Sequence, residues 1–445
     1  MELISEIPIF GEFISTIITF VAVLGIVVFV HEYGHYIVGR WSGIHAEVFS
    51  MGFGPVIWSR RDKRGTKWQV SAIPIGGYVK FLGDRNAASV ADESAVAKMP
   101  DHERDRSFPA AKLYKRILTI LAGPVANFVL SSVIFTGLAF WHGVASEKPL
   151  VGEMLAFPEG AYNLQTGDEI LAIEGQTVTD FSEVYQISSK MNPPSDMNIL
   201  VLRDGLEKQV LSPYLFPAAV YAVSPMSAAS KAGFRKGDII LKLADIPITT
   251  FSDLIDVVKN AADREITAVI WRAGQEHELQ VTPVTTEFQN SEGGFEKRVM
   301  IGISGAPAFL PLTTTPNLFQ AVTMGVARVG DVISGSFNAL KHIFLGNLSA
   351  SNLQGPLGIA QISKEAANQG VIVFISLVAL ISTGIGMFNL FPIPMLDGGH
   401  LVFYSIEAIR GRPLANKTIQ ISVSIGLATV LLLMVFVTYN DILRL

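Results

Sequence analysis

Apolar residues run along this chain in two rhythms. Four strongly apolar stretches carry no charge: Phe13–Val30, Ile117–Ser146, Ala366–Leu396 and Thr418–Asn440. Each can cross roughly 30 Å of hydrocarbon as a helix, a span that takes about 20 residues. The second and third exceed that need, so only part of each has to be embedded. Between them the rhythm shortens to brief apolar runs separated by Gly-Asp and other turn pairs, which predicts strands and hairpins. Beyond that segment, Val322, Val326, Val329, Ile333, Phe337, Leu340 and Phe344 recur at three- and four-residue spacing. That is the period of an amphipathic helix. Asp331 and Lys341 argue against a span, leaving the membrane surface or a packed core as its place.

The strand-rich segment repeats itself. "QTGDEILAIEGQTVTDFSEV" (165–184) aligns without gaps on "RKGDIILKLADIPITTFSDL" (235–254), and "LRDG" (202–205) echoes "WRAG" (271–274) with one residue of slip. A turn at Gly-Asp, a β-branched strand, a second turn and an amphipathic helix are expected in both copies. The second copy, with "SAASKAGFRKGDIILKLADIPI" (227–248), resembles the PDZ domains of bacterial envelope proteases. That resemblance implies PDZ modules at about 145–214 and 215–285, the alternative being two β-rich domains without a peptide groove.

Composition narrows the chemistry. Charged residues make up 16% of the chain and apolar ones 49%, as expected for membrane segments joined to a soluble part. With no cysteine, thiolate zinc sites, iron–sulfur clusters and disulfides are excluded. Any metal must sit on histidine, carboxylate or water. Charge also predicts orientation. Residues 40–116 hold 14 Lys+Arg against 8 Asp+Glu, whereas residues 145–316 hold 13 against 22. Positive-inside bias puts 40–116 and 398–417 in the cytoplasm, with both termini and the acidic segment outside. The flank of the first stretch carries Glu2, Glu6 and Glu12 instead of basic residues, so it reads as a retained helix and not a signal peptide.

Chemistry-bearing residues lie inside two of the apolar stretches, where an ionisable group is costly and points to function. "FVHEYGHYIVG" (29–39) places His31 and His35 four apart on one helix face, with Glu32 beside them. This H-E-x-x-H spacing suits two zinc ligands and a general base. A third ligand must come from elsewhere, and "NLFPIPMLDGGH" (389–400) offers Asp397, with His400 as rival. Pro392 and Pro394 break the helix, and Gly398–Gly399 would permit a sharp turn that re-aims the aspartate. Asn389 presents an amide at the same depth. "AGPVANF" (122–128) puts Gly123 and Asn127 on one face, a surface for close packing against the active-site helix.

H-E-x-x-H in the first span, N-x-x-P-x-P-x-L-D-G-G in the third and PDZ-like modules between them resemble the site-2 protease family of intramembrane zinc metalloproteases. The nearest type is the bacterial regulators of sigma-E. Supporting stretches are "FSMGFGPVIWSRRDKRGT" (49–66), "IPIGGYVKFL" (73–82), "AGPVANF" and "NLQGPLGIA" (352–360). The resemblance implies Zn²⁺ on His31, His35 and Asp397, with Glu32 as catalytic base. Asn389, Pro392 and Pro394 would meet the substrate. It implies a polytopic α-helical protein of the bacterial inner membrane, with four transmembrane helices, a membrane-associated β-hairpin and two inserted α+β PDZ domains on the periplasmic side. The expected segments are 1–144, the modules 145–214 and 215–285, a connector 286–365 and a C-terminal membrane half 366–445.

The expected substrate is a single-span membrane protein, an already trimmed anti-sigma factor or a remnant signal peptide, cleaved within the bilayer. The modules would bind a peptide or exclude untrimmed substrates. No nucleic-acid partner is expected. Residues 49–81 read as a hairpin, "PVIWS" and "KWQVSAI" joined by "RRDKRG", whose edge could pair with an unwound substrate at Ile57 or Val70 or simply be solvated. A silent PDZ scaffold would need no intact metal motif, and a zinc transporter would not need Glu32 or the modules.

Overall fold

A computed structural model of the chain describes residues 10–84, 98–155, 163–188, 190–191, 196–290 and 294–444. Residues 1–9, with Glu2 and Glu6 of the expected acidic flank, and residues 85–97 lie outside these. The chain divides into a helical unit and a sheet-rich unit.

The helical unit begins with α1 (Phe10–Trp41), then β1 (Ala46–Arg61) and β2 (Lys67–Phe81), then α2 (Leu113–His142). It resumes with α3 (Leu318–Phe344), α4 (Pro356–Gln369), α5 (Val371–Asn389), α6 (Asp397–Arg410) and α7 (Asn416–Arg444). Four of these, α1, α2, α5 and α7, are long and apolar enough to cross a membrane. The third uncharged stretch is divided by Gly370 at φ +121°, so residues 366–369 belong to the end of α4 and the span itself starts at Val371. α3 buries a small-residue row, Ala321 and Gly325, with Val329. A Cβ at Gly325 would meet Ser132 O of α2 at 2.7 Å. The larger apolar row is outward, with Val322, Val326, Phe337 and Phe344 all exposed.

β1 and β2 form a doubled hairpin. Residues 48–51 of β1 pair on one side with 77–80 and on the other with 67–70, and 67–71 also pair with 56–61. Two segments are therefore internal, and the free edges belong to 77–81 and 56–61. Val70 pairs with both Met51 and Trp58, so it is internal. Ile57 falls in a bulge between the Val56–Ser71 and Trp58–Val70 pairs. Phe53, Val56, Ile57, Trp58, Val70 and Ile73 all expose their side chains.

In the sheet-rich unit the repeat is physical. The first copy contributes β3 (Val151–Met154), β4 (Glu169–Ile173), β5 (Met197–Arg203) and β6 (Leu206–Ser212). The second contributes β7 (Ala219–Val223), β8 (Ile239–Leu243), β9 (Ile266–Arg272) and β10 (Gln275–Val281). In each copy a Gly amide and an Asp carbonyl exchange bonds with one strand residue, Gly167 and Asp168 with Val151, Gly237 and Asp238 with Val220, all at 2.8 Å. Each aspartate is gripped by an arginine fork: Arg203 Nε and Nη2 donate to Asp168, and Arg272 Nε and Nη2 to Asp238, all at 2.7 Å. The one-residue slip between "LRDG" and "WRAG" lies between aspartate and arginine, and both forks close regardless. Positive φ at Asp204–Gly205 and Ala273–Gly274 closes the same tight hairpin in both copies.

Strands beyond residue 285 complete these sheets: β11 (Ile303–Ala306) pairs with β7 and β12 (Phe309–Pro311) with β3. The stretch expected as a connector from 286 thus returns to both modules before α3. Burial pushes the Asp168 carboxyl up, but the Arg203 fork and the Gln165 amide outweigh it and hold it below its usual range. Asp168→Ala and Asp238→Ala should each cost about 1–3 kcal/mol by leaving a half-buried arginine with only a backbone carbonyl as partner, seen as early proteolysis confined to that module. The Asp168 contribution should be complete above the unfolded carboxylate value near about 4 and fade as pH falls through its lowered folded value. A wild-type protease pattern in both variants would refute the role of the forks.

Candidate metal centre and active site

The site begins with a row on α2. Thr119, Gly123 and Asn127 stand four residues apart and so share one helix face, and all three are buried. His31 and His35, also four apart on α1, lie against this row. His35 Nδ1 donates to Thr119 O at 2.8 Å. A Cβ on Gly123 would land on the His35 imidazole and within 2.9 Å of His31 Cε1, so only glycine leaves room for both rings. Asn127 Nδ2 lies 3.3 Å from His31 Nδ1. Pro124 cannot donate to Ile120 O, which loosens the helix beside the seat. Ser131 Oγ donates to Ala379 O at 2.8 Å and Ser382 Oγ to Asn127 O at 3.0 Å, tying α2 to α5.

With both Nδ1 atoms turned to α2, both Nε2 atoms face Asp397. His31 Nε2 lies 3.2 Å and His35 Nε2 3.5 Å from Asp397 Oδ2, and the two Nε2 atoms are 3.2 Å apart. A tetrahedral zinc with bonds of about 2.1 Å has ligand–ligand edges of about 3.4 Å. The three separations match that triangle. Apart from the imidazoles, Asp397 Oδ2 is buried without a partner, a costly state that a cation at the centre removes. Among the described residues this is the one group of three His, Asp or Glu donors close enough to hold a metal ion. The donor set fits zinc.

Asp397 is delivered by a broken helix. α5 stops at Asn389, residues 390–396 turn tightly through Ile393 N→Phe391 O and Met395 N→Ile393 O, both 2.7 Å, and α6 starts at Asp397 itself. Gly398 and Gly399 lie in the first turn of α6 instead of forming the expected sharp turn. Their missing side chains matter for approach: a Cβ on Gly398 would strike Leu390 O and Phe391 O, and one on Gly399 would strike Ile393 O. The far end of α6 is clamped to α2 by Arg116, which donates to both Glu407 oxygens at 3.1 and 2.5 Å and covers the Tyr404 ring at 5.0 Å. His400 is buried edge-on to Phe403 and stays outside the donor cluster. Asn389 and Pro394 are half-buried and Pro392 exposed, all at the break before Asp397.

Glu32 is half-buried and accepts a hydrogen bond from the Val79 backbone. A Cβ on Gly77 would come within 3.1 Å of Glu32 Cγ, so the 77–81 edge of the hairpin runs past the glutamate. Phe81 N donates to Asp84 at 3.2 Å.

Residues 19–433 match the model of peptidase family M50. The chain belongs to this family, the site-2 proteases. Curated relatives span it almost entirely. A protein of Agrobacterium fabrum assigned by name to the zinc metalloproteases is 37% identical over 97% of both chains. The regulators of sigma-E protease of Haemophilus influenzae and Escherichia coli are each 31% identical over 98% of this chain and 100% of theirs. This M50 member is a zinc metalloprotease built on membrane helices.

Sequence reasoning read Gly123 and Asn127 as a close-packing face against the active-site helix, but missed Thr119 and the direct contacts of this row with the two imidazoles. The four-residue period and its partner helix were visible; the ring contacts were not. In this M50 protease Gly123→Ala should abolish stoichiometric zinc while leaving membrane insertion intact, checked by metal analysis of detergent-purified protein. Full zinc content in that variant would mean the rings do not need the space.

Proposed function

We propose that this protease hydrolyses peptide bonds within the transmembrane segments of single-span membrane proteins. The observation that carries the reading is a zinc-sized triangle of His31, His35 and Asp397 held among apolar helices, with Glu32 next to it. The three are the metal ligands and Glu32 is the general base. Zinc bound there supplies a Lewis acid and lowers the pKa of a bound water to about 7. Glu32 takes the proton from the attacking water and returns it to the leaving amine. The Val79 amide orients that carboxylate. Asn389, Pro392 and Pro394 shape the break that receives the scissile segment, Asn389 as a donor to its carbonyl.

His31→Ala, His35→Ala and Asp397→Ala should each lose zinc. Glu32→Gln should keep it and lose about 10²–10⁴-fold in turnover. The assay is detergent-purified protein with a single-span type II membrane peptide, with and without a chelator. Stoichiometric zinc in Asp397→Ala would move the third ligand elsewhere, and undiminished cleavage by Glu32→Gln would remove the base. A scaffold or zinc transporter would predict no chelator-sensitive cleavage at all.

The two repeat copies are read as PDZ modules on the periplasmic face of the inner membrane, with residues 40–116 and 398–417 cytoplasmic. The relatives named for sigma-E regulation support an anti-sigma-type substrate. Cysteine-accessibility labelling at Ser182 and Lys63 tests the orientation, and labelling of both from one side would overturn it.

The hairpin is read as a clamp that adds the substrate as a strand. Val79 N and Phe81 N of one free edge are already bonded to Glu32 and Asp84. That leaves the edge of 56–61, and with it Ile57 in place of the internal Val70. Proline is tolerated at a bulge but cannot donate to an added strand. Ile57→Pro should therefore slow cleavage well below Ile57→Ala with zinc unchanged. Equal rates for the two would reduce the hairpin to a passive loop.

A further inference from the structure

The Asn127 side chain has two settings related by a half-turn of its amide, and they differ in what they offer His31. With Nδ2 toward the ring, Asn127 Oδ1 is buried and has no partner. His31 turns Nε2 to Asp397 and His35, at 3.2 Å from each. A neutral imidazole that gives Nε2 to a metal must carry its proton on Nδ1. Nδ1–H and an amide NH₂ would then face each other as two donors at 3.3 Å, with the one acceptor stranded. Only the other setting pairs donor with acceptor.

We propose that Asn127 is a positioning residue for the metal centre: its Oδ1 accepts the His31 Nδ1 proton and fixes the tautomer that presents Nε2. This rests on the reading of His31 as a zinc ligand. His35 offers the internal comparison, since its Nδ1 donates to Thr119 O at 2.8 Å from the same α2 face. One row of α2 thus supplies both imidazoles with an acceptor, a backbone carbonyl for His35 and a side-chain carbonyl eight residues on for His31. Acceptors behind ligating histidines orient the ring and raise its basicity, and losing one typically costs about 10–100-fold in metal affinity. The seat is also rigid. The Asn127 backbone carbonyl accepts from Ser382 Oγ at 3.0 Å, and the side chain is fully buried.

The test is zinc affinity, measured by chelator competition on the full-length detergent-purified protein, which does not depend on turnover. Asn127→Ala and Asn127→Ser, which cannot reach Nδ1, should each bind zinc about 10–100-fold more weakly. Asn127→Asp keeps an acceptor of the same reach and should bind within a few-fold of wild type or tighter. A packing role would predict the reverse for Asp, because a buried carboxylate with no donor to meet would disrupt the helix pair. Wild-type affinity in Asn127→Ala and Asn127→Ser, or an Asp variant as weak as those two, would overturn the proposal. His31→Ala, run in parallel, separates the two ideas. If it retains zinc, the ligand assignment falls and Asn127's role with it. If it is empty while Asn127→Ala is unchanged, the amide's role alone falls.

Discussion

Two imidazoles and a carboxylate held 3.2–3.5 Å apart among apolar helices are the constraint on which the helical unit depends. In hydrocarbon there is little hydrophobic gain from bringing helices together, so close approach has to come from small residues and internal hydrogen bonds. The contacts around the site follow that rule. Gly34 of α1 lies where a Cβ would strike Ala122 O, Gly123 of α2 sits beneath the His35 ring, and Gly386 of α5 faces Pro124 O. Gly398 and Gly399 let α6 fold back on the carbonyls that end α5. Glycine therefore sits at the contacts that set the triangle of His31, His35 and Asp397, and serine and arginine close the rest.

Much of this was legible in the sequence, and what was missed has a common cause. His31, Glu32 and His35 show themselves through a local spacing on one helix, and Asp397 through a charge at the end of a long apolar run. The Gly-Asp repeat was legible for the same reason. By contrast, the aspartate–arginine forks, the return of residues 303–311 to the modules and the internal place of Val70 all depend on pairing between distant segments. β1 meets β2 on both of its sides, a topology that alternation along "KWQVSAI" cannot reveal. Gly398–Gly399 looked like turn residues because glycine has two uses, freedom in φ and absence of a Cβ, and a sequence does not say which is in play.

The hairpin and the metal centre are joined through Glu32. Val79 donates its amide to the glutamate, and Gly77 keeps the strand close enough for that bond. It also follows that the 77–81 edge is occupied by the chain's own Glu32 and Asp84.

A peptide bond inside a transmembrane helix has both polar groups satisfied, and freeing them in hydrocarbon costs several kcal/mol each. An intramembrane protease must therefore offer a replacement for those bonds before any chemistry can begin. An open strand edge does that for any sequence, because main-chain groups are common to all substrates. Exposed edges are ordinarily a hazard, blunted with charge or proline. Here the 56–61 edge carries Val56, Ile57 and Trp58 outward, with charge only at Arg60 and Arg61 near the turn. Apolar side chains flanking an open backbone suit a partner that arrives from lipid with its helix partly undone. A loop meant only for water would show the opposite pattern.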